Sequence, residues 1–549
     1  MNQSKDPQLR AAFPLFLALL AIVWFGSLAT RSLISPDEGR YATLSWGMLH
    51  TGDWVTPRLN GILYFEKPPL QYWLGAIFMK LFGLNEFAAR LWPALSGFLT
   101  ALVVGATANR LWGKEAGIRS LAIAASMTWV FGNAHFLTLD AGLTFFLTIS
   151  LCAVLIARYA AATPAERRRW IWLAWAAMAG AVLSKGLIGI VIPGATLVVT
   201  AIWRRDLSLW RGMHWFSGLL IFLALAAPWF VLVSMRNPGF AEFFFIHEHF
   251  ARYLTKVHQR EGAWWYYLPF LLGGMLPWIG GLPWLVKRNT SGPRGAIAAT
   301  DVLIAYSTFV LLFFSASGSK LPSYILPMFP ALALLLGLRL VAVPAKTLRV
   351  HLLVPALLWA IALAASTQSG RVTSNSTPAE VFGQLAEGLR MGALLFLGGA
   401  ALAWWWLRRN RNTLAILTLA LAHVIGVAVV LAAHEPFGRL KSATPYVAVL
   451  EPVIQSGAPV FSVGGYDQTL PFYLRHEVIL VDYNDEFAMG QLMEPGRSIE
   501  SLDEFAQRWQ SLPQAAAYMD VASYVGMHQR GLPMRVLYQD QRRIVVSRQ

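Results

Sequence analysis

The sequence predicts a polytopic α-helical membrane protein of about thirteen transmembrane helices, followed by a small C-terminal soluble α/β domain. Three observations carry this reading. Of 549 residues, 56% are apolar and 13% charged, against roughly 45–50% and about 25% in an average soluble protein. The apolar residues gather in runs of about twenty, the length a helix needs to cross a bilayer. Past about residue 440 the composition changes: residues 441–549 hold nine Lys or Arg against twelve Asp or Glu, a net of −3, which leaves +19 of the formal +16 on the rest of the chain. An ordinary soluble enzyme and a disordered chain are thereby excluded. Cys152 is the sole cysteine and lies in an apolar run, so no internal disulfide forms.

Apolar runs fall near 12–30, 91–109, 118–134, 139–157, 170–184, 187–203, 215–235, 265–286, 299–316, 323–341, 351–366, 389–407 and 413–433. The first is too long, and lacks the small-residue cleavage site, for a removed signal peptide. Basic clusters occupy every second loop: Arg110/Lys114/Arg119, Arg158/Arg167/Arg168/Arg169, Arg204/Arg205/Arg211, Lys287/Arg288/Arg294, Arg339/Lys346/Arg349 and Arg408/Arg409/Arg411, with Lys5 and Arg10 in phase. The positive-inside rule makes these loops and the N-terminus cytoplasmic. A membrane topology therefore explains the positive charge better than nucleic acid does. Loops 31–90, 135–140, 184–187, 236–264, 315–322 and 367–388 then face outward.

Two domains are expected. Residues 1–440 form the membrane domain with outer helices in 31–90 and the loop 236–264. Residues 441–549 form an outer α/β domain, with β-like runs Ala458–Val463, Glu477–Tyr483, Met534–Tyr538 and Arg543–Val546 and a helix near 500–510. No Gly-rich phosphate loop, CxxC pair or internal repeat appears.

The unusual polar residues sit in the outer loops. Ser35-Pro36-Asp37-Glu38 reads as a capping box with Ser at N-cap, Pro at N1 and Glu at N3. On the helix that follows, Asp37 shares a face with Arg40 and Tyr41, and Trp46, Met48 and Leu49 make it amphipathic. The plainer role for Asp37 and Glu38 is to favour the helix N-terminus through its dipole. In Tyr64-Phe65-Glu66-Lys67-Pro68-Pro69-Leu70 the two prolines set a corner before a second amphipathic helix to about Phe82, and Glu66 with Lys67 could equally be a surface ion pair. Asp140 opens the fourth apolar run. A carboxylate at that depth marks a site or a buried pair. Lys185 and Lys320 occupy similar depths, where lysines also simply snorkel to the interface. In Phe245-Ile246-His247-Glu248-His249-Phe250-Ala251-Arg252, His247 could join a carboxylate such as Glu66 on a zinc ion while Arg252 meets a phosphate. Such His pairs also occur without metal.

Carboxylates, cations and aromatics gathered at one membrane face suit transfer of a sugar from a lipid phosphate. The cations hold the anionic headgroup while its chain stays in hydrocarbon. A hydroxyl acceptor would need a carboxylate as general base, whereas a phosphate acceptor needs none. A lipid-linked sugar transporter is the competing class, but it would tend to show repeats and charges near the midplane.

As a set, Ser35-Pro36-Asp37-Glu38-Gly39-Arg40-Tyr41, the segment Tyr64–Leu70, Asp140, Ser184-Lys185-Gly186 and Ser319-Lys320-Leu321-Pro322-Ser323-Tyr324 resemble the polyprenyl-phosphate-dependent membrane glycosyltransferases. More narrowly they are similar to the undecaprenyl-phosphate 4-amino-4-deoxy-L-arabinose transferases of lipid A, relatives of the protein O-mannosyltransferases. The resemblance implies a C-type glycosyltransferase fold in the bacterial inner membrane, with active site and C-terminal domain periplasmic. The implied reaction is inverting transfer of aminoarabinose from undecaprenyl phosphate to a lipid A phosphate, giving polymyxin resistance. Wider relatives use mannose with protein, or galacturonic acid with lipid A or core, as alternatives. Carried over by motif, Asp37 and Asp140 are the catalytic acids. Lys67 and Arg252 bind the carrier phosphate, Arg40, Tyr41 and Tyr64 line the site, and Lys185, Lys320 and Tyr324 add to it. Glu66 and His247 are the implied metal pair, for one divalent ion. No organic cofactor and no nucleic-acid partner are expected.

Overall fold

Inside hydrocarbon, backbone N–H and C=O groups can pair only within a helix or a closed barrel, and the apolar runs of this chain all become helical. The computed structural model describes residues 7–251, 262–285, 297–372, 374 and 377–548. The chain forms two compact units. The first takes Met1–Leu28, Arg90–Gln368 and Ala386–Ala433; the second takes Ala29–Ala89, Ser369–Leu385 and His434–Gln549. The units therefore do not follow a single cut at residue 440.

In the first unit, the long helices include Glu86–Trp112, Asp140–Tyr159, Pro164–Lys185, Trp215–Arg236, Ala299–Ala316, Ala345–Ser366, Ala379–Arg408 and Asn412–Ala432. Among the described residues, seven helices are long and apolar enough to cross a membrane, or eight if one bent pair counts as a span, and three shorter apolar helices accompany them. The protein is thus a multi-pass membrane protein. Two runs that read as single spans are interrupted. Run 118–134 breaks at Met127, which is extended (φ −58, ψ 125), giving helices Lys114–Ser126 and Thr128–Ala134. Run 265–286 is a helix pair bent by 105°, where Pro277, without an N–H, interrupts the ladder.

The helix Lys114–Ser126 is buried from Ala116 to Ser126 and packs against Met328–Leu340 and Asn412–Ala432. Small residues make this close approach workable, as membrane helix pairs require; a side chain on Gly337 would collide with Ser120. Arg119 does not lie in a cytoplasmic loop as its charge cluster suggests. It is 1% exposed, and its guanidinium binds the Leu340 carbonyl, Glu115, and the Thr413 hydroxyl at 3.1 Å. Its several donors are spent on groups left open at helix ends, which offsets the cost of burying the charge.

The second unit contains a short hairpin, β1 (Arg58–Leu59) with β2 (Ile62–Leu63), and a five-stranded sheet of β3 (Val460–Val463), β4 (Ile479–Val481), β5 (Ala515–Asp520), β6 (Arg535–Gln539) and β7 (Arg543–Arg548). The order is β4-β3-β5-β7-β6, parallel across β4, β3 and β5 and antiparallel across β5, β7 and β6. Four strands coincide with the β-like runs of the sequence. The central strand β5 does not, because its three alanines favour helix; all three are fully buried, and Ala515 and Ala517 pack in one cluster with Phe461, Phe505 and Trp509. Helix Leu502–Ser511 matches the expected one and starts where Ser501 accepts from Glu504 N at 3.2 Å.

Segment 29–89 is fastened to the sheet domain by polar bonds spanning most of the chain. Ser35 Oγ donates to Asp467 Oδ1 at 2.6 Å. Arg58 makes a two-pronged pair with Glu494 at 2.7 and 2.8 Å. Asn60 pairs both ways with the Val478 backbone at 2.7 and 2.8 Å. Ser32 binds Glu435 through backbone and hydroxyl at 2.6 and 2.8 Å. Asp467 is the node. Buried at 4% exposure, it also accepts from Thr469 N (2.9 Å), Thr469 Oγ1 (2.7 Å), Tyr446 OH (2.8 Å) and Arg543 Nη1 (3.1 Å). Removing one partner of a buried pair strands the other charge at a cost of about 3–5 kcal/mol. Asp467→Ala is therefore expected to lower the unfolding temperature of the purified protein clearly. An unchanged melting curve would remove the node from the account.

Candidate active site

The polar residues singled out in the sequence fall into two groups, one in each unit. In the second unit, the helix Asp37–Thr51 begins at Asp37, with Pro36 before it and no side-chain cap. The expected capping box is not formed. The Ser35 hydroxyl instead donates a charge-assisted bond to Asp467. Glu38, 2% exposed, instead accepts from Ile34 N at 3.2 Å. Gly39 is required by proximity, since a side chain there would lie 2.5 Å from the Gln468 and Thr469 backbone. The helix is thus pressed against residues that no local pattern announces.

Asp37 remains half exposed, at 52%, and accepts from Arg40 Nη1 at 2.9 Å. The other edge of Arg40 pairs with Glu486, which is 4% exposed and also accepts from Gln468 Nε2 at 2.9 Å. Burial disfavours the Arg40 charge, but Tyr64, Glu486, Tyr41 and Asp37 together hold its pKa above the usual value. Burial raises the Glu486 pKa, against the pull of Arg40 and Gln468 and with the repulsion of Glu66. Tyr41 and Tyr72 stack at 6.1 Å. Burial, with the nearby Tyr41 for Tyr72 and Glu66 for both, pushes the Tyr64 and Tyr72 hydroxyls well up, so both stay protonated donors. The hydroxyls of Tyr64, Tyr72 and Tyr466 and both amide atoms of Gln71 are buried with no hydrogen-bond partner among the described residues. An unmade bond of this kind costs about 1–3 kcal/mol. Grouped around charged side chains, such atoms are what a polyhydroxylated ligand satisfies.

The Pro68-Pro69 corner leads into helix Leu70–Phe82 as expected. Lys67 Nζ donates to the Glu66 carbonyl at 2.7 Å, and its ammonium lies 3.9 Å from the Glu66 carboxylate. A cation at Glu66 would compete with that ammonium. Among the described residues, no three His, Cys, Asp or Glu side chains group as a metal set. The side chain of His247 and all of Arg252 lie outside the described residues.

In the first unit, Asp140 opens the helix Asp140–Tyr159, where the helix dipole favours a carboxylate. It pairs with Lys185. Lys185 is the last residue of Pro164–Lys185, which ends because Gly186 takes φ 85, a conformation other residues avoid. The Lys185 ammonium also lies 4.7 Å over the Tyr324 ring. Lys320, 9% exposed, donates to the Ser317 carbonyl at 2.8 Å. Asp140, Lys185 and Tyr324 are thus brought together, as Asp37, Arg40, Tyr41 and Tyr64 are in the second unit. Glu486, Tyr72, Gln71 and Tyr466 were not found by sequence. The one local hint was an Asp-Glu pair after the β4 run.

Comparison with known proteins identifies the family. Residues 446–548 match the family model described as the aminoarabinose transferase C-terminal domain, and residues 11–244 match that of dolichyl-phosphate-mannose-protein mannosyltransferase. A solved structure, ArnT from Cupriavidus metallidurans bound to undecaprenyl phosphate, superposes with a TM-score of 0.93 at 37% identity, covering 97% of both chains. The chain belongs to the ArnT family. Its fold is the C-type glycosyltransferase fold with a small C-terminal sheet domain. Curated relatives include the undecaprenyl phosphate-alpha-4-amino-4-deoxy-L-arabinose arabinosyl transferases of Erwinia tasmaniensis (34% identical over 62% of each chain) and Pseudomonas aeruginosa (34% identical over 60% of each). The matched region spans about three fifths of the length of these curated relatives.

If Arg40 and Glu486 act as one unit, a double-mutant cycle with Arg40→Met and Glu486→Gln, read by thermal unfolding, gives a coupling of about 1–3 kcal/mol. Additive effects would dissolve the pair.

Proposed function

We propose that this protein transfers 4-amino-4-deoxy-L-arabinose from undecaprenyl phosphate to a phosphate of lipid A. The reaction takes place at the periplasmic face of the bacterial inner membrane, with the N-terminus cytoplasmic, and lowers the negative charge that polymyxin and cationic peptides exploit. The observation that carries this reading is the likeness over 97% of the chain to a family member crystallised with undecaprenyl phosphate.

The chemistry of the residues supports it. The acceptor phosphate oxygen attacks the anomeric carbon of the sugar, the bond to the carrier phosphate breaks with inversion, and the carrier leaves as undecaprenyl phosphate. The acceptor is already anionic, so no base has to remove a proton. Asp37, exposed but aimed by Arg40, stabilises the positive charge that develops on the sugar ring. Tyr41, Tyr64 and Tyr72 bind the ring and its hydroxyls. Glu486, an acid surrounded by tyrosines, is the natural partner for the sugar's ammonium. Lys67 and Arg252 are each candidates to receive the carrier phosphate. Asp140 holds the Lys185 ammonium over Tyr324 as a second cationic centre, with Lys320 beside that turn.

Mass spectrometry of lipid A from cells with and without the gene is expected to differ by one aminopentose. A different sugar mass, or none, overturns the donor or the activity. Asp37→Asn, at normal protein level, is expected to reduce the product by about a hundredfold or more, and full activity would remove Asp37 from the mechanism.

We also propose that the protein takes one divalent ion, for which Glu66 and His247 are each candidate ligands. None of the steps above runs through it. Elemental analysis decides it: a stoichiometric metal lost in the Glu66→Gln/His247→Ala protein supports these ligands, and a metal-free wild-type protein rejects the ion.

A further inference from the structure

A polar knot in the first unit lies apart from the residues discussed so far. The break at Met127 leaves Thr128 N without a partner in its own helix, and it donates instead to the Leu276 carbonyl at 2.9 Å, beside the bend at Pro277. The Thr128 hydroxyl reaches the same carbonyl at 3.3 Å. Trp278 Nε1 donates to Ser126 Oγ at 2.9 Å, so the two broken helices are tied on both sides. Behind them, His423 is 1% exposed within the apolar helix Asn412–Ala432. Its Nε2 lies 2.9 Å from the Thr128 hydroxyl, and its Nδ1 lies 3.3 Å from Trp359 Nε1. A polar ring at that depth is costly where packing alone is needed.

The protons can be placed. An indole N–H only donates, so Nδ1 accepts. A neutral imidazole carries one N–H, which therefore sits on Nε2 and donates to Thr128. The Thr128 hydrogen is then left for Leu276. The bonds run one way: Trp359 to His423 to Thr128 to the Leu276 carbonyl. On one side of the knot, Thr128–Ala134 leads within a few residues to Asp140. On the other, helix Tyr267–Gly274 packs on the turn Pro322–Ile325, and Gly262 just before it lies against Lys320.

We propose that His423 is a positioning residue, fixed in its Nε2–H neutral tautomer, which locks the two broken helices and so sets the placement of Asp140 and Lys320. Its activity arm rests on the transferase reading above; its tautomer does not. The test uses the full-length protein. The ¹⁵N spectrum of histidine-labelled wild type minus that of His423→Gln is expected to show one neutral Nε2–H ring. Trp359→Phe, which keeps an aromatic ring and removes the donor, is expected to yield a mixture of tautomers. His423→Gln, whose side-chain carbonyl can accept from Trp359 while its NH₂ donates to Thr128, is expected to keep kcat within about threefold. His423→Leu, of similar size, is expected to lose about tenfold to a hundredfold in kcat, the scale of a small misplacement, with KM for the carrier lipid unchanged. A charged or Nδ1–H ring in the wild type overturns the relay. A Leu variant as active as wild type, or a Gln variant no better than Leu, overturns the positioning role. Wild-type protein that transfers no aminoarabinose counts against the transferase reading alone, because the tautomer still decides the relay.

Discussion

Asp467 is the constraint on which the second unit depends. It takes the Ser35 hydroxyl, two groups of Thr469, Tyr446 and Arg543 in one buried place. Through Ser35 it sets where the helix of Asp37 and Arg40 begins, and this register brings Arg40 to Glu486. Segment 29–89 is therefore not a free loop. It is one layer of the C-terminal domain, and the ordering of Asp37 is inherited from that domain. A site on a rigid support holds its geometry better than one on a loop, and this gives the sheet domain a role that its fold alone does not suggest.

The two groups of polar residues solve the same electrostatic problem in different ways. In the first unit, the Asp140 charge meets Lys185 directly and the cation is shared with the Tyr324 ring. In the second, one guanidinium is divided between an exposed acid and a buried one. A charge in a poorly solvated place must be paired, yet the dividing arginine leaves Asp37 partly open to a ligand. The unmatched hydroxyls of Tyr64 and Tyr466 sit within electrostatic reach of Arg40, and an unpaired buried polar atom in a native protein calls for an explanation such as a bound group.

Local patterns were legible in the sequence. The apolar runs gave the helices, the Pro68-Pro69 corner gave the start of helix Leu70–Phe82, and alternation in the tail gave four strands of five. What stayed hidden was settled by partners far away in the chain. Ser35 has every local mark of a helix cap, but a carboxylate 432 residues later claims its hydroxyl. Arg119 looks like one more cytoplasmic charge until its helix is packed among others whose ends leave a carbonyl and a threonine for it. The alanines of β5 carry no alternation that marks a strand, and Ala515 and Ala517 are buried against Phe461, Phe505 and Trp509. Glu486 is unremarkable in its own segment and becomes informative only beside Arg40. The likeness of the motif set to a known family was therefore a better guide to the family than the spacing of any one motif.

The bonds that fasten segment 29–89 join residues such as Arg58 and Glu494, 436 positions apart. A ribosome adding about 5–20 residues per second needs roughly 20 to 90 seconds to bridge that gap. Throughout it the early acids and tyrosines exist without their support. A chain that is cut short or stalled before its last hundred residues thus carries every motif of segment 29–89 without the partners that order it, so competence arrives only with completion.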